Sequence, residues 1–538
     1  ITARNNYLSE RKKPSSFVGF QPAMECGANN REILNCKGCE NKCRIVRVRF
    51  SNGRSYFTGN RCENSFSNHA RTDRKGLNLA AAKEKLLFDR PLEPEGKPIL
   101  SFGIPRALNM YENFPFWSAY LTACGFRVVL SSPSTTELFE QGVQSVMSDN
   151  ICFPGKLAHG HIMDLINRKV DRIFYPNVVY EQKEHSSSCN SFNCPVVTGY
   201  PDVIRSASDP EGRYGIPLDS PAVSFKDAAL LEKQLFHFVR QFGVKRLSSS
   251  LAVRQALKVQ DDFKKRVLDM GGDLIAAAER DARRIIVLSG RPYHIDPLIN
   301  HGIPELLAGY GVDVVTEDAL PLNAGASLRQ NGILTQWAYA NRVIAAAEYV
   351  GTRKNMSMVQ LASFGCGLDA LSSDEARRIL EKKNHSYTLI KIDEMANLGA
   401  VKIRLRSLLE TDRGGRDYVA PLSAYPLRRK GEREKIIVPW ISPMYSPLVA
   451  PAFAACGLSA DVLAPPDRRS VELGLQYVNN DLCYPAAIII GDIIKAFRSG
   501  RYDPERTAIV FPQTFGQCRA SSYLPLMERA LQRAGYED

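Results

Sequence analysis

The sequence predicts an α/β protein, with several Rossmann-like parallel-sheet domains behind a small Cys-rich metal-binding module at the N-terminus. Three observations predict this. Short apolar runs alternate with helix-length periodic stretches through most of the 538 residues, the pattern of βαβ units and hence of parallel strands. The alternation opens near residue 99, opens again at 283 and restarts at 435. Finally, one motif occurs twice: Ser148 to Gly160 reads SDNICFPGKLAHG, and Asn479 to Gly491 reads NNDLCYPAAIIIG. Cys152 corresponds to Cys483, Pro154 to Pro485 and Gly160 to Gly491. The Cys-to-Pro step is two residues and the Cys-to-Gly step eight in both.

Residues 1–75 form the Cys-rich module. Cys36, Cys39 and Cys43 are closely spaced, Cys62 follows, and Cys26 lies ten residues before the group. A short turn aims two sulfurs at one ion and a later segment closes the shell. The intervening RIVRVRFSNGRSYFTGNR alternates around Asn52-Gly53, a hairpin signal. Both Zn²⁺ and an iron–sulfur cluster accept four cysteines. Residues 1–90 hold 18 Lys and Arg against 8 Asp and Glu, most of the net +13. Such an excess is a docking face or a solvated surface. Aromatic residues do not interleave it, so nucleic acid is the weaker reading.

Composition sets the compartment. An apolar content of 44% is ordinary for a globular protein. No apolar run approaches the ~20 residues that span a bilayer. There is no signal peptide, and thirteen cysteines is an odd number. A disulfide framework is therefore disfavoured, and a cytoplasmic protein with metal-bound thiolates fits better. The chain lacks an initiator Met, so a fragment or processed piece is expected.

After a helix and a proline-bounded linker, residues 95–215 read as a Rossmann-like domain. Its strands are Ile99 to Pro105, Phe126 to Ser132 and Arg172 to Tyr180. Its helices are Leu108 to Gly125 and about Lys156 to Asn167. Cys189 and Cys194 lie in a loop after the third strand, where such sheets collect ligands. Residues 216–282 read as a helical connection. A second Rossmann-like domain covers 283–410, with strand candidates at Arg283 to Gly290, VDVVTEDALP, Arg342 to Val350 and Ser386 to Asp393. Cys366 sits between Gly365 and Gly367, where a backbone can approach a bulky inorganic group closely. Residues 411–434 are a charged linker, and 435–538 repeat the first domain incompletely. There Ala123-Cys124-Gly125 recurs as Ala455-Cys456-Gly457. Cys518 falls 35 residues after Cys483, as Cys189 falls 37 after Cys152.

A cysteine at a helix start sits where the macrodipole and free N–H groups favour a thiolate, the form a metal needs. One such cysteine is more simply a small buried hydrophobe. Its recurrence with matched flanks favours ligation. His159, His161, His294 and His301 are proton-donor candidates, each more simply structural. Arg291 and Lys156 could meet an anion, although solvation is the plainer reading. No catalytic residue can be assigned.

The segments CKGCENKC with GNRC, SDNICFPGKLAHGH, NCPVVTGYP, SGRPYHIDPLINHGIPELLAGYG, SFGCGLDA and NNDLCYPA with QTFGQCRASSY resemble the 2-hydroxyacyl-CoA dehydratases and their activases, especially the large fused members. The resemblance implies a [4Fe–4S] or larger double-cubane cluster between Rossmann-like domains. Cys152, Cys194 and Cys366 would be ligands, with Cys189 as a fourth candidate, and Cys483 and Cys518 would serve the second copy. It implies an ATP-dependent activase as partner, a CoA thioester or other small molecule as substrate, and a homo- or hetero-oligomer. The function expected is the cluster component of a low-potential reductase or dehydratase-like system. The alternatives are a non-catalytic electron-transfer or scaffold module, and a zinc protein binding nucleic acid. The ATPase motifs of an activase are not found in this sequence.

Overall fold

The computed structural model describes residues 28–36, 44–50, 53, 55–59, 75–322, 328, 333–395, 398–411, 435–512 and 516–536. The chain divides into two compact units, residues 1–74 with 397–403, and residues 75–396 with 404–538. In the first, strands Ala28–Asn35, Arg44–Phe50 and Ser55–Thr58 form an antiparallel sheet in that order. The hairpin turn falls where Asn52-Gly53 placed it, with Gly53 at φ +78°, a conformation glycine adopts without strain. The strand Ala28–Asn35 was hidden by its polar composition. Cys36 follows it and is buried against Ile45. Cys26, Cys39, Cys43 and Cys62 lie outside the described residues.

The second unit holds three parallel sheets of one design. The first runs Arg127–Leu130, Ser101–Ile104, Arg172–Phe174, Leu218–Asp219. The second runs Asp313–Thr316, Ile285–Ser289, Met356–Ser363, Tyr387–Ile392. The third runs Ala460–Val462, Lys435–Val438, Thr507–Ile509. In each, the second strand in sequence lies on one side of the first strand and the third on the other. This reversal of strand order opens a crevice at the carboxyl ends of the first and third strands. Ile285–Ser289 is buried at all five positions because a parallel strand is covered on both faces, and its unbroken apolar run IIVLS follows from that.

Four expectations are corrected. Arg342 to Val350 is not a strand; it lies in helix Ala338–Val350, and the strand is Met356–Ser363. Three consecutive alanines favour helix. The run Arg172 to Tyr180 divides at Pro176, which offers no ladder N–H. Asn177–Tyr180 pairs instead with Ala222–Ser224. Residues 216–282 are not wholly helical, since Leu218–Asp219 completes the first sheet before helices Ala228–Val239 and Arg246–Arg280. The helix after Cys152 begins at Phe153, not Lys156.

The core of the first sheet's layer is helix Met110–Ala123, packed on Arg246–Arg280. Pro115 interrupts it. The Gln260 amide enters the gap: its Oε1 accepts from the Phe116 N–H at 3.1 Å and its Nε2 donates to the Glu112 carbonyl at 2.9 Å. A side chain thus replaces a lost ladder bond.

The matched glycines are helix crossings. Helix Thr136–Gly142 meets Phe153–Asn167, and Arg468–Tyr477 meets Tyr484–Arg498. A Cβ on Gly160 would lie 2.2 Å from the Leu138 carbonyl oxygen, and one on Gly491 would lie 1.7 Å from that of Ser470. The eight-residue step from cysteine to glycine therefore sets each crossing about two turns along its helix. Gly160→Ala and Gly491→Ala should each destabilise the protein by about 1–3 kcal/mol, as overpacking against backbone does. Denaturant midpoints measure this, and unchanged midpoints would mean that the helices part freely.

Candidate functional site

Five cysteines occupy one kind of position. Cys152, Cys194, Cys366 and Cys483 are the N-caps of helices Phe153–Asn167, Pro195–Ala207, Gly367–Lys382 and Tyr484–Arg498. Cys518 caps the turn Arg519–Ser522, which runs into helix Tyr523–Arg533. Cys194, Cys366, Cys483 and Cys518 have extended backbone. Proline in the first turn after Cys152, Cys194 and Cys483 fixes where those helices start. Cys124 and Cys456, by contrast, stand at helix C-termini.

The three sheets correct the alignment of the repeats. Cys194, Cys366 and Cys518 each follow the third strand of their own sheet and open the next helix. Cys518 therefore matches Cys194, not Cys189. Cys152 and Cys483 each precede the third strand, as expected.

Cys152, Cys194 and Cys366 share one electrostatic field. Burial, then the neighbouring Cys194, push the Cys152 thiol up to about 12, against the pull of the Gly155 N–H. Burial and Asp369 push Cys366 well above the ordinary thiol range, with Cys194 adding to the shift and Arg291 opposing it. At Cys152 and Cys366 desolvation outweighs the helix start. A thiol held this way is inert until a cation displaces its proton.

Arg291 stands at the carboxyl end of Ile285–Ser289, and Cys366 at that of Met356–Ser363, so the pair flanks the switch point of the second sheet. Arg291 is 4% exposed. Its Nε donates to Asp369 Oδ1 at 2.9 Å, and Nη2 lies 2.8 Å from the same oxygen. The other carboxylate oxygen accepts the Ser363 N–H at 3.2 Å. Nη1 is buried and has no hydrogen-bond partner among the described residues.

Backbone pairing joins the elements around these residues. The Phe192 N–H donates to the Gln336 carbonyl at 2.8 Å, and the Ala338 N–H to that of Phe192 at 3.0 Å. Next to Cys194, the Asn193 amide donates to Glu181 at 2.8 Å. From the third sheet, Gln517 Nε2 donates to Thr198 Oγ1 at 3.0 Å. The Arg519 guanidinium lies so close to Gly367 that a Cβ there would fall 1.7 Å from its Nη1. Cys483 Sγ and the Tyr523 hydroxyl are 2.6 Å apart, and Cys483 and Cys518 both push the tyrosine's pKa up, behind burial. Cys189 and Cys518 are exposed, and the Cys189 N–H donates to Thr335 Oγ1 at 3.1 Å.

The candidate histidines make internal hydrogen bonds. His161 bonds Ser131 and Ser134, and His159 bonds Tyr200 and Ser145. Burial holds His159 and His294 down at about 4 and His161 at about 3. His301 bonds the Asp393 carbonyl. Lys156 pairs with Glu394. Among the described residues no three His, Cys, Asp or Glu side chains are grouped to hold a single metal ion. No helix described is long and apolar enough to cross a membrane. Asp369 and Tyr523 carried no sequence signal, since burial and long-range contact made their roles.

Residues 101–320 match a family described as "CoA enzyme activase uncharacterised domain (DUF2229)". This ties that stretch to activase-related proteins at a coarse level. No curated protein matches the chain. Among solved structures, the C-terminal domain of glucosamine-fructose-6-phosphate aminotransferase from Francisella tularensis is 12% identical, over 64% of this chain and 88% of that one, with a TM-score of 0.16. A score of that size carries no argument about fold.

The neutral histidines set an acid limb. Unfolded, each takes a proton near pH 6.5. Folded, His161 resists until about 3. The stability this contributes is complete above pH 6.5 and is lost as pH falls toward 3. His161→Gln removes that dependence, so its stability deficit against the wild type should shrink as pH falls from 7 to 4. Denaturant unfolding at several pH values measures it, and a constant deficit would refute it.

Proposed function

We propose that this chain is the iron–sulfur component of an activase-driven system, either a low-potential reductase or a 2-hydroxyacyl-CoA dehydratase-like enzyme. The observation that carries the reading is that Cys152, Cys194 and Cys366 each open a helix, that Cys194 acts electrostatically on the other two, and that the buried Arg291 acts on all three. Helix starts and a guanidinium make the surroundings positive, which suits a negatively charged thiolate-ligated group. Soft thiolates suit iron–sulfur chemistry, and a cluster spans several atoms where zinc is a single ion. The similarity of residues 101–320 to an activase-associated domain supports the same context.

Cys152, Cys194 and Cys366 would hold a cluster at the switch-point crevice, and Cys483 and Cys518 would bind in the third sheet's layer. When bound, such a cluster supplies one-electron redox chemistry or, with an iron left open, Lewis acidity. The chain's own part is to hold the sulfurs on rigid helix starts and to keep the half-buried Cys152 and Cys366 thiols protonated until metal arrives. Tyr523 holds Cys483 by its hydroxyl, and the Asp369–Arg291 pair fixes the turn before Cys366. An ATP-hydrolysing activase is the partner, and a CoA thioester is the substrate class.

Anaerobic purification with iron, zinc and acid-labile sulfide analysis tests this. Iron and sulfide of about four or more each per chain are expected. Cys152→Ser, Cys194→Ser and Cys366→Ser should each lose most of it, whereas Cys456→Ser, at a helix C-terminus, should retain it. A chain carrying zinc alone, even after reconstitution with iron and sulfide, would overturn the reading.

A further inference from the structure

We propose that Arg291 is a fixed counter-charge that raises the reduction potential of the group held by Cys152, Cys194 and Cys366, and that Asp369 sets how much of that charge is felt. This rests on the iron–sulfur reading above. Three features of the geometry carry it. Arg291 lies at the switch point of the second sheet, across from Cys366. It is 4% exposed, so water screens it little. Its Nε donates to Asp369 Oδ1 and its Nη2 forms an ion pair with the same oxygen, while the buried Nη1 has no hydrogen-bond partner among the described residues. Cys366 and Cys194 both act on its charge.

The electrostatics follow. Reduction adds one electron and one negative charge to the cluster and breaks no bond. A buried cation in reach favours the more negative state, so the potential rises. Arginine suits this role because it stays protonated where a buried lysine could lose its charge. Asp369 opposes the effect, holding Arg291 in place while offsetting part of its charge. Arg519, against Gly367, is half-exposed. Its contribution should be smaller, because water and salt screen it.

Redox titration of the anaerobically reconstituted full chain, with dithionite as reductant and the cluster's spin signal as readout, tests the proposal. Arg291→Gln should shift the midpoint negative by at least about 59 mV, a tenfold change in a one-electron equilibrium. Asp369→Asn should shift it positive. Arg291→Lys should remain nearer the wild type than Arg291→Gln, and Arg519→Gln should move the midpoint less. Should Arg291→Gln alone fail to hold the cluster, the double variant Arg291→Gln/Asp369→Asn compared with Asp369→Asn isolates the same charge, and the double variant should be the more negative. A loaded chain whose potential is indifferent to residue 291 overturns this proposal alone. A wild-type chain that takes up no iron and sulfide overturns the cluster reading with it.

Discussion

The pairing of Phe192 with Gln336 and Ala338 is the constraint on which the site depends. Cys194 belongs to the layer of the first sheet and Cys366 to that of the second. Nothing local brings them together. A few backbone hydrogen bonds, worth about 1 kcal/mol each, are multiplied by the burial of Phe192 and Trp337 on either side. Asn341 adds a bond from its amide to the Asn190 carbonyl at 3.1 Å. With this strip in place, Cys194, a helix start of the first layer, acts electrostatically on Cys366, a helix start of the second, and on Cys152.

Two physical effects compete at these sulfurs, and magnitude decides between them. A helix start favours an anion by typically 0.3–1 kcal/mol, about 2 at most. Burial of an isolated charge costs more. The thiols of Cys152 and Cys366 accordingly lie above the ordinary range. The same burial makes Arg291 important, because a guanidinium in a poorly screened place acts on its neighbours more strongly than one at the surface. In the third sheet's layer the Tyr523 hydroxyl stands against Cys483. It also meets the second layer through polar contacts, with the buried Arg529 on Glu375 and the half-buried Asn479 on Asp374.

The repeat was legible because its spacing records geometry. Proline after cysteine marks a helix start, and glycine eight residues on marks a crossing with no room for a Cβ. Both survive in the third sheet's layer although most neighbouring side chains differ. The match of Cys518 with Cys194 was not legible, because the insertion after Arg172–Phe174 changes the count between equivalent cysteines. Arg342 to Val350 misled because nine apolar-rich residues fit either a strand or a buried helix, and periodicity cannot separate them at that length. Arg291 could be singled out but not weighted. Its burial and its pairing with Asp369, 78 residues away, are products of the fold.

The distribution of the three sulfurs also fixes an order of events during synthesis. Cys152 and Cys194 flank strands that can pair soon after the first sheet emerges. Cys366 follows a strand some 160 residues later, and the strip that aligns it with Cys194 uses residues 335–341. A growing chain therefore presents two of the sulfurs long before the third, and any group that needs all three can be inserted only once the second sheet has closed.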